Sequence, residues 1–347
     1  MLQLHNRSPF EAQMFGIPDR HGIDMMVVVV KATFTIAGSV AIAAEQDPVA
    51  LADEYWGDPA STSLRLTSEI HTRKVGTDVL VIGEACAPGE RPVTELRVAA
   101  GVGDHTQQAT VHGDRFWTEG VGGIRPTSAR PFVRVPLTYE HAFGGRHVFD
   151  PDNDRFVDEP RNPVGRGFRG KRSTTEMLGQ PVPNIDDPRH PLTMLGQSPQ
   201  PVGFGPLAPS WEARRRYAGT YDDVWRRKRA PYLPEDFDPR FLSTAPQPLR
   251  FQENLKGGEP VATIGMHPSG PQRFALPRCQ VEVKVRVSGE AIRSPSVLET
   301  VVLQPTREQF SMTWRSTTSL DKRMLAVERV DVTVPKLEGV AETSSAP

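Results

Sequence analysis

Ten prolines fall between Pro160 and Pro209, and no other feature limits the fold of this chain as much. Proline fixes φ and removes a backbone donor, so neither a central strand nor a long helix can run through that interval. The flanks read differently. MMVVVVKATFTI, residues 25–36, is rich in β-branched residues, and its second half alternates until Gly38. That pattern predicts a buried strand whose end reaches the surface. Comparable signals occur in TDVLVIGEACA (77–87), VTELRVAAGVG (93–103), QQATVHG (107–113) and PFVRVPLTYE (131–140), punctuated by turn residues such as Gly76, Gly89, Gly103 and Gly113. Strand signals return in EPVATIGMHP, QRFALPRCQVEVKVRVSG, SVLETVVLQPT, QFSMTWRS and MLAVERVDVTVP. In CQVEVKVRV, Val281, Val283, Val285 and Val287 alternate with Glu282, Lys284 and Arg286, which predicts a half-exposed antiparallel strand.

These signals predict a mainly β protein, with an antiparallel sandwich- or barrel-like body, because helices of crossover length are missing between the strands. Residues 1–140 form the N-terminal β region and 248–337 the C-terminal region that completes the body; 338–347 is a tail. Between them lies a large Pro/Gly/Arg-rich irregular insertion, 141–247, carrying short helices. Twelve Phe, Tyr and Trp residues from Phe143 to Phe241 supply apolar surface that disordered segments lack, so the insertion is expected to be ordered. Its one helical stretch, SWEARRRYAGTYDDVWRRKRAP, should be split by Gly219 and ended by Pro231.

Charge narrows the function classes. With 41 basic and 42 acidic residues the net charge is -1, so no global field recruits nucleic acid or an anionic membrane. The run MMVVVV is too short to span a bilayer, and MLQLHNRSPFEAQ lacks the basic and apolar segments of a signal peptide. A soluble, cytoplasmic protein is expected. Cys86 and Cys279, far apart and without neighbouring histidines, read as reduced and buried.

Two motifs invite a ligand. GRGFRG, with Gly165, Gly167 and Gly170, matches a dinucleotide loop in its glycines, but PRNPV precedes it where a strand is needed. KRSTTEMLGQPVP follows where a long helix is needed. The better reading is a glycine loop held by Phe168, with Arg166 and Arg169 available for carboxylates. DPDNDRF, 150–156, opens like a calcium loop, yet Arg155 and Arg161 stand where an EF-hand needs glycine and glutamate; a looser calcium site stays open beside a solvated turn. The histidines are scattered and no G-x-S-x-G elbow occurs. No catalytic residue, cofactor or metal is assigned, and the protein is expected not to be an enzyme.

EARRRYAGTYDDVWRRKR mixes Arg and Lys with Tyr217, Tyr221 and Trp225. Such a mixture can grip single-stranded nucleic acid or form a protein interface. Asp222, Asp223 and the neutral overall charge favour protein or intramolecular contacts. Candidate partner-contact residues are Tyr139, His141, Phe143, Arg166, Phe168, Arg169, Trp211, Tyr221, Trp225, Arg226 and Arg227. The alternative is that the arginines pair internally with Asp150, Asp154, Asp186, Asp187, Asp222 and Asp223.

Colinear blocks including VVVVKATFTIAG, DEYWGDPASTSLRLTSEI, KVGTDVLVIGEACAP, VPLTYEHAFGG, NPVGRGF, LGQPVPNIDDP, PVGFGPLAPSW and AGTYDDVWRRKRAPYLPEDFD carry a resemblance. Over roughly residues 6–277 the chain resembles the uncharacterised-domain adaptor family encoded beside bacterial type VI secretion spike and toxin genes. The resemblance implies a cytoplasmic adaptor or chaperone. Its partners would be a toxin with a PAAR-like N-terminal region and a valine-glycine repeat (VgrG-type) spike protein. A hydrolase of the same cluster, or a structural component of the secreted spike, are the competing readings.

Overall fold

The strand Asp24–Thr35 is buried along nearly its whole length, and the structure explains why both of its faces read as apolar. Met26, Val28, Val30, Ala32 and Phe34 enter the main core, while Val27 and Val29 pack under Val49 on the opposite face. Successive side chains of a strand point to opposite faces, so a strand covered twice loses its alternation. The computed structural model describes residues 2–341. It is 43% strand and 11% helix, a mainly β protein with a nearly closed barrel-like sheet.

That large sheet runs Gln3–Asn6, Val327–Glu338, Arg278–Val287, Glu290–Gln304, Gln309–Ser319, Asp24–Thr35, Glu11–Pro18, with Ala41–Ile42 and Asp78–Val81 paired off the path. Both flanks of the proline-rich interval therefore contribute neighbouring strands. Most pairings are antiparallel, but Gln3–Asn6 lies parallel to Val327–Glu338, and Asp78–Val81 parallel to Glu290–Gln304. A second sheet, Ile185–Asp186, His105–His112, Glu95–Val102, Pro260–Ile264, Gln272–Ala275, shares the main core through Val98, Ala100, Val111 and Val261. Phe274 of the small sheet stacks on Phe310 of the large one at 4.8 Å. The alternation in 281–287 is realised, with all four valines buried between antiparallel neighbours on both sides.

The segment 141–247 does more than cover the β body. Phe204, Leu207, Trp211 and Ala245 enter the main core, and Phe204 O accepts from Val81 N at 2.9 Å. A satellite core joins Phe143, Met177, Val182 and Leu192 to Trp117. Gly219, at φ +81°, separates helices Glu212–Arg215 and Asp223–Lys228. PFVRVPLTYE forms only the short strand Arg134–Pro136 before a 3-10 turn at Tyr139–His141. Of the expected tail, Glu338 ends the last strand and Ala341 N donates to Val40 O at 2.7 Å; residues 342–347 lie outside the described residues. No helix among the described residues is long and apolar enough to cross a membrane.

Candidate functional site

The glycine loop turns inward. Phe143–Gly144 and Arg166–Gly167 form a two-residue parallel ladder, threaded by Asn162, whose Nδ2 donates to Tyr139 O and Phe143 O at 2.8 and 3.0 Å. A Cβ on Gly144 would lie 2.1 Å from Asn162 O, and one on Gly167 would lie 2.7 Å from Pro183 Cδ. These glycines let backbone segments cross in contact. The polar stretch after them does form helix, but only the single turn Thr174–Met177, closed by a Ser173–Glu176 capping box. In DPDNDRF, Asp150 accepts from Asn153 Nδ2 and faces Arg155 at 3.9 Å. No group of three or more His, Cys, Asp or Glu suited to a metal ion occurs among the described residues.

The eleven candidate contact residues separate into two sets. Tyr139, Phe143 and Trp211 are 3%, 4% and 3% exposed, which corrects their assignment to a contact surface. Tyr139 and Trp211 meet edge to face at 4.9 Å in the main core, and burial raises the Tyr139 hydroxyl pKa strongly. Arg166 is half-buried and holds the loop itself, donating to Glu140 O at 2.8 Å and Asn184 Oδ1 at 3.0 Å. His141 beside it is pushed down to about 4 by burial first and by Arg166 second. Phe168 is half-buried and Arg169 exposed; Arg169 Nε donates to Arg172 O at 2.7 Å. Neither Arg166 nor Arg169 forms an ion pair with the six aspartates named above. Asp186 instead takes Arg115 at 2.9 Å, and Asp187 takes Arg189 at 3.2 Å.

The remaining four residues form one exposed lobe. Asp222 caps the helix Asp223–Lys228 by accepting from Trp225 N at 2.8 Å, and Arg226, Arg227 and Lys228 occupy its last turn, where cations suit the carbonyl end. Tyr221 meets Trp225 edge to face at 4.7 Å, and Trp225 Nε1 donates to Tyr232 O at 2.9 Å. Arg229 bonds to Arg20 O and Gly22 lies under the Tyr232 ring, so the lobe rests on the hairpin turn before Asp24. Tyr221, Val224 and Tyr232 nevertheless remain 53%, 52% and 41% exposed. Arg226 pairs with Asp223 at 3.5 Å with both side chains about three-quarters in solvent, an arrangement that contributes little to stability.

A second centre was not anticipated from the sequence. On the face of the large sheet opposite the main core, Lys31 meets Glu69 at 3.2 Å, Lys74 meets Asp78 at 3.0 Å and Arg315 meets Glu299 at 2.6 Å. All six residues are at least nine-tenths buried. Thr313 Oγ1 and Ala50 N complete Glu69, and Thr244 N completes Asp78 Oδ2. Arg315 also donates to His71 Nε2 at 3.0 Å; burial first, then Arg315, Lys74 and Arg214, hold His71 well below its ordinary pKa. Arg214, 6% exposed, is lowered to about 10 by its burial. The sequence did carry a signal. Lys31 in VVVVKATF and Glu299 in VLETVVL each interrupt an apolar strand run at a position where a core strand has no reason to hold a lone charge. Cys86 is buried and Cys279 half-buried, both free thiols, and burial raises Cys279 to about 12.

A mainly β protein with a buried ionic centre and an exposed aromatic–basic lobe is thereby defined. The chain belongs to a bacterial family: residues 21–315 match the one described as an uncharacterized protein conserved in bacteria, DUF2169. No curated protein and no solved structure shows significant similarity to it.

Proposed function

We propose that this protein is an adaptor or chaperone of type VI secretion, which binds a toxin through its PAAR-like N-terminal region and helps load it onto a VgrG-type spike. The observation that carries the reading is the lobe at 221–232. Exposed Tyr221, Val224 and Tyr232 stand beside Arg226 and Arg227, and tyrosine and arginine are among the residue types that dominate the energy of protein interfaces. Arg227 spends only its Nε, on Asp223 O at 3.1 Å, and forms no carboxylate pair among the described residues. The planar guanidinium suits a partner's carboxylates. The colinear blocks that resemble secretion adaptors point the same way, and a spike tip that exposes apolar surface before seating gains from a partner that shields it.

The test is co-purification of the full chain with the toxin encoded beside it. Wild-type protein should retain the toxin; Arg226→Gln with Arg227→Gln should melt within about 2 °C of wild type, as surface changes do, and lose the toxin at least tenfold. A double variant that still binds fully removes the lobe from the interface. A wild-type chain that retains no toxin overturns the adaptor reading, and a chain exported with the spike would make it a component of the spike.

A further inference from the structure

Beneath the segment 66–74 the large sheet borders a partly open cavity of about 130 Å³, whose wall includes Lys31, Thr67, His71, Lys74, Arg214 and Thr244. The cations around it are not equally paired. Three buried cations have buried carboxylate partners within 3.2 Å; Arg214 has none. Its Nε donates to Phe241 O at 2.9 Å and its Nη1 to Leu207 O at 2.8 Å, which orients the guanidinium without neutralising it. Its Nη2 bonds to no protein atom among the described residues. Asp53 at the rim is exposed, accepts from Ser68 N, and forms no ion pair with Arg214.

A buried charge without a counter-charge is unfavourable, whereas the same charge facing an anion is stabilised. Donors converge on the space as well: Lys31 gives one N–H to Glu69 and Lys74 gives two, to Asp78 and Thr300, out of three each. The Thr67 hydroxyl makes no hydrogen bond to protein among the described residues. A single water needs about 10–15 Å³ of such space, so the cavity takes a molecule of several heavy atoms. We infer that this cavity is a binding site for a small carboxylate, with Arg214 as its charge partner and Lys31 and Lys74 as further donors. Arg214 offers one guanidinium edge without a carboxylate partner, with Asp53 exposed at the rim, which matches a monoanion better than a dianion. The site is independent of the lobe, so either assignment can fail without the other.

The probe is sodium acetate replacing sodium chloride at constant ionic strength and pH 7, read as the melting temperature of the full chain. A ligand that binds only the folded state raises the midpoint by mass action, here by about 3 °C at roughly tenfold excess over its dissociation constant. Arg214→Met should abolish the acetate-dependent part. If that variant fails to fold, Thr67→Phe crowds the cavity while leaving Arg214 and its two carbonyl bonds in place, and should abolish it equally. Equal melting temperatures in acetate and chloride overturn the inference. So does an acetate effect that survives either folded variant, which marks a general salt effect. A midpoint that rises in phosphate and not in acetate overturns the carboxylate assignment.

Discussion

His141 and His71 are imidazoles kept neutral beside arginines, and this gives stability a pH dependence of definite sign. An unfolded histidine binds its proton near pH 6.5; folded His141 does so only at about 4. Between those values the unfolded chain holds more protons, so the free energy of unfolding falls as pH drops from about 6.5 to about 4 and is flat above. The His141 share is about 2 kcal/mol after allowance for its partial exposure. Urea unfolding at pH 7.5, 5.5 and 4.5 should show the decline, and His141→Gln should flatten it; an identical slope in the variant removes His141 as the source. Residue identity alone did not reveal which aromatic side chains turn inward. Trp211 and Trp225 lie in one arginine-rich stretch, yet Trp211 is 3% exposed under Tyr139 while Trp225 lies half-buried in the lobe. The partner that decides, Tyr139, is 72 positions upstream of Trp211, beyond any local pattern.

Elements whose signal is periodic were legible. The valines of 281–287 lie on one buried face, and Gly219 divides the two helices, because alternation and a left-handed glycine act within a few residues. Pairing was not legible: no local feature tells Asp78–Val81 to run parallel to Glu290–Gln304, and PFVRVPLTYE carries strand residues that mostly pack as turn. The glycine loop shows a motif whose residues are set by backbone crossing. Gly144→Ala should destabilise by about 3 kcal/mol or more, since it combines φ +149° with a contact at 2.1 Å. Gly38→Ala, at φ +77° with nothing within 4 Å, should cost about 1 kcal/mol from backbone strain alone. Comparable losses in denaturant midpoint for the two would refute the crossing role.

The body is assembled from distant stretches. Asp24–Thr35 lies between Glu11–Pro18 and Gln309–Ser319, and Glu95–Val102 lies between His105–His112 and Pro260–Ile264. Each flank alone lacks half of its neighbours. Residues 1–140 and 248–341, expressed separately, should therefore unfold without cooperativity, whereas the whole chain should give a single sharp transition by circular dichroism; a sharp transition in the 1–140 piece would contradict a shared core. The opening strand carries this to its limit, since Gln3 is opposite Arg329. Among the described strands it is made before all others, and its neighbour after all others. At about 5–20 residues per second the wait is tens of seconds. For most of that time the valines of 27–30 have been synthesised while Gln309–Ser319, the strand they align with, has not. The nascent chain, more than the finished protein, is the species that needs shelter from aggregation.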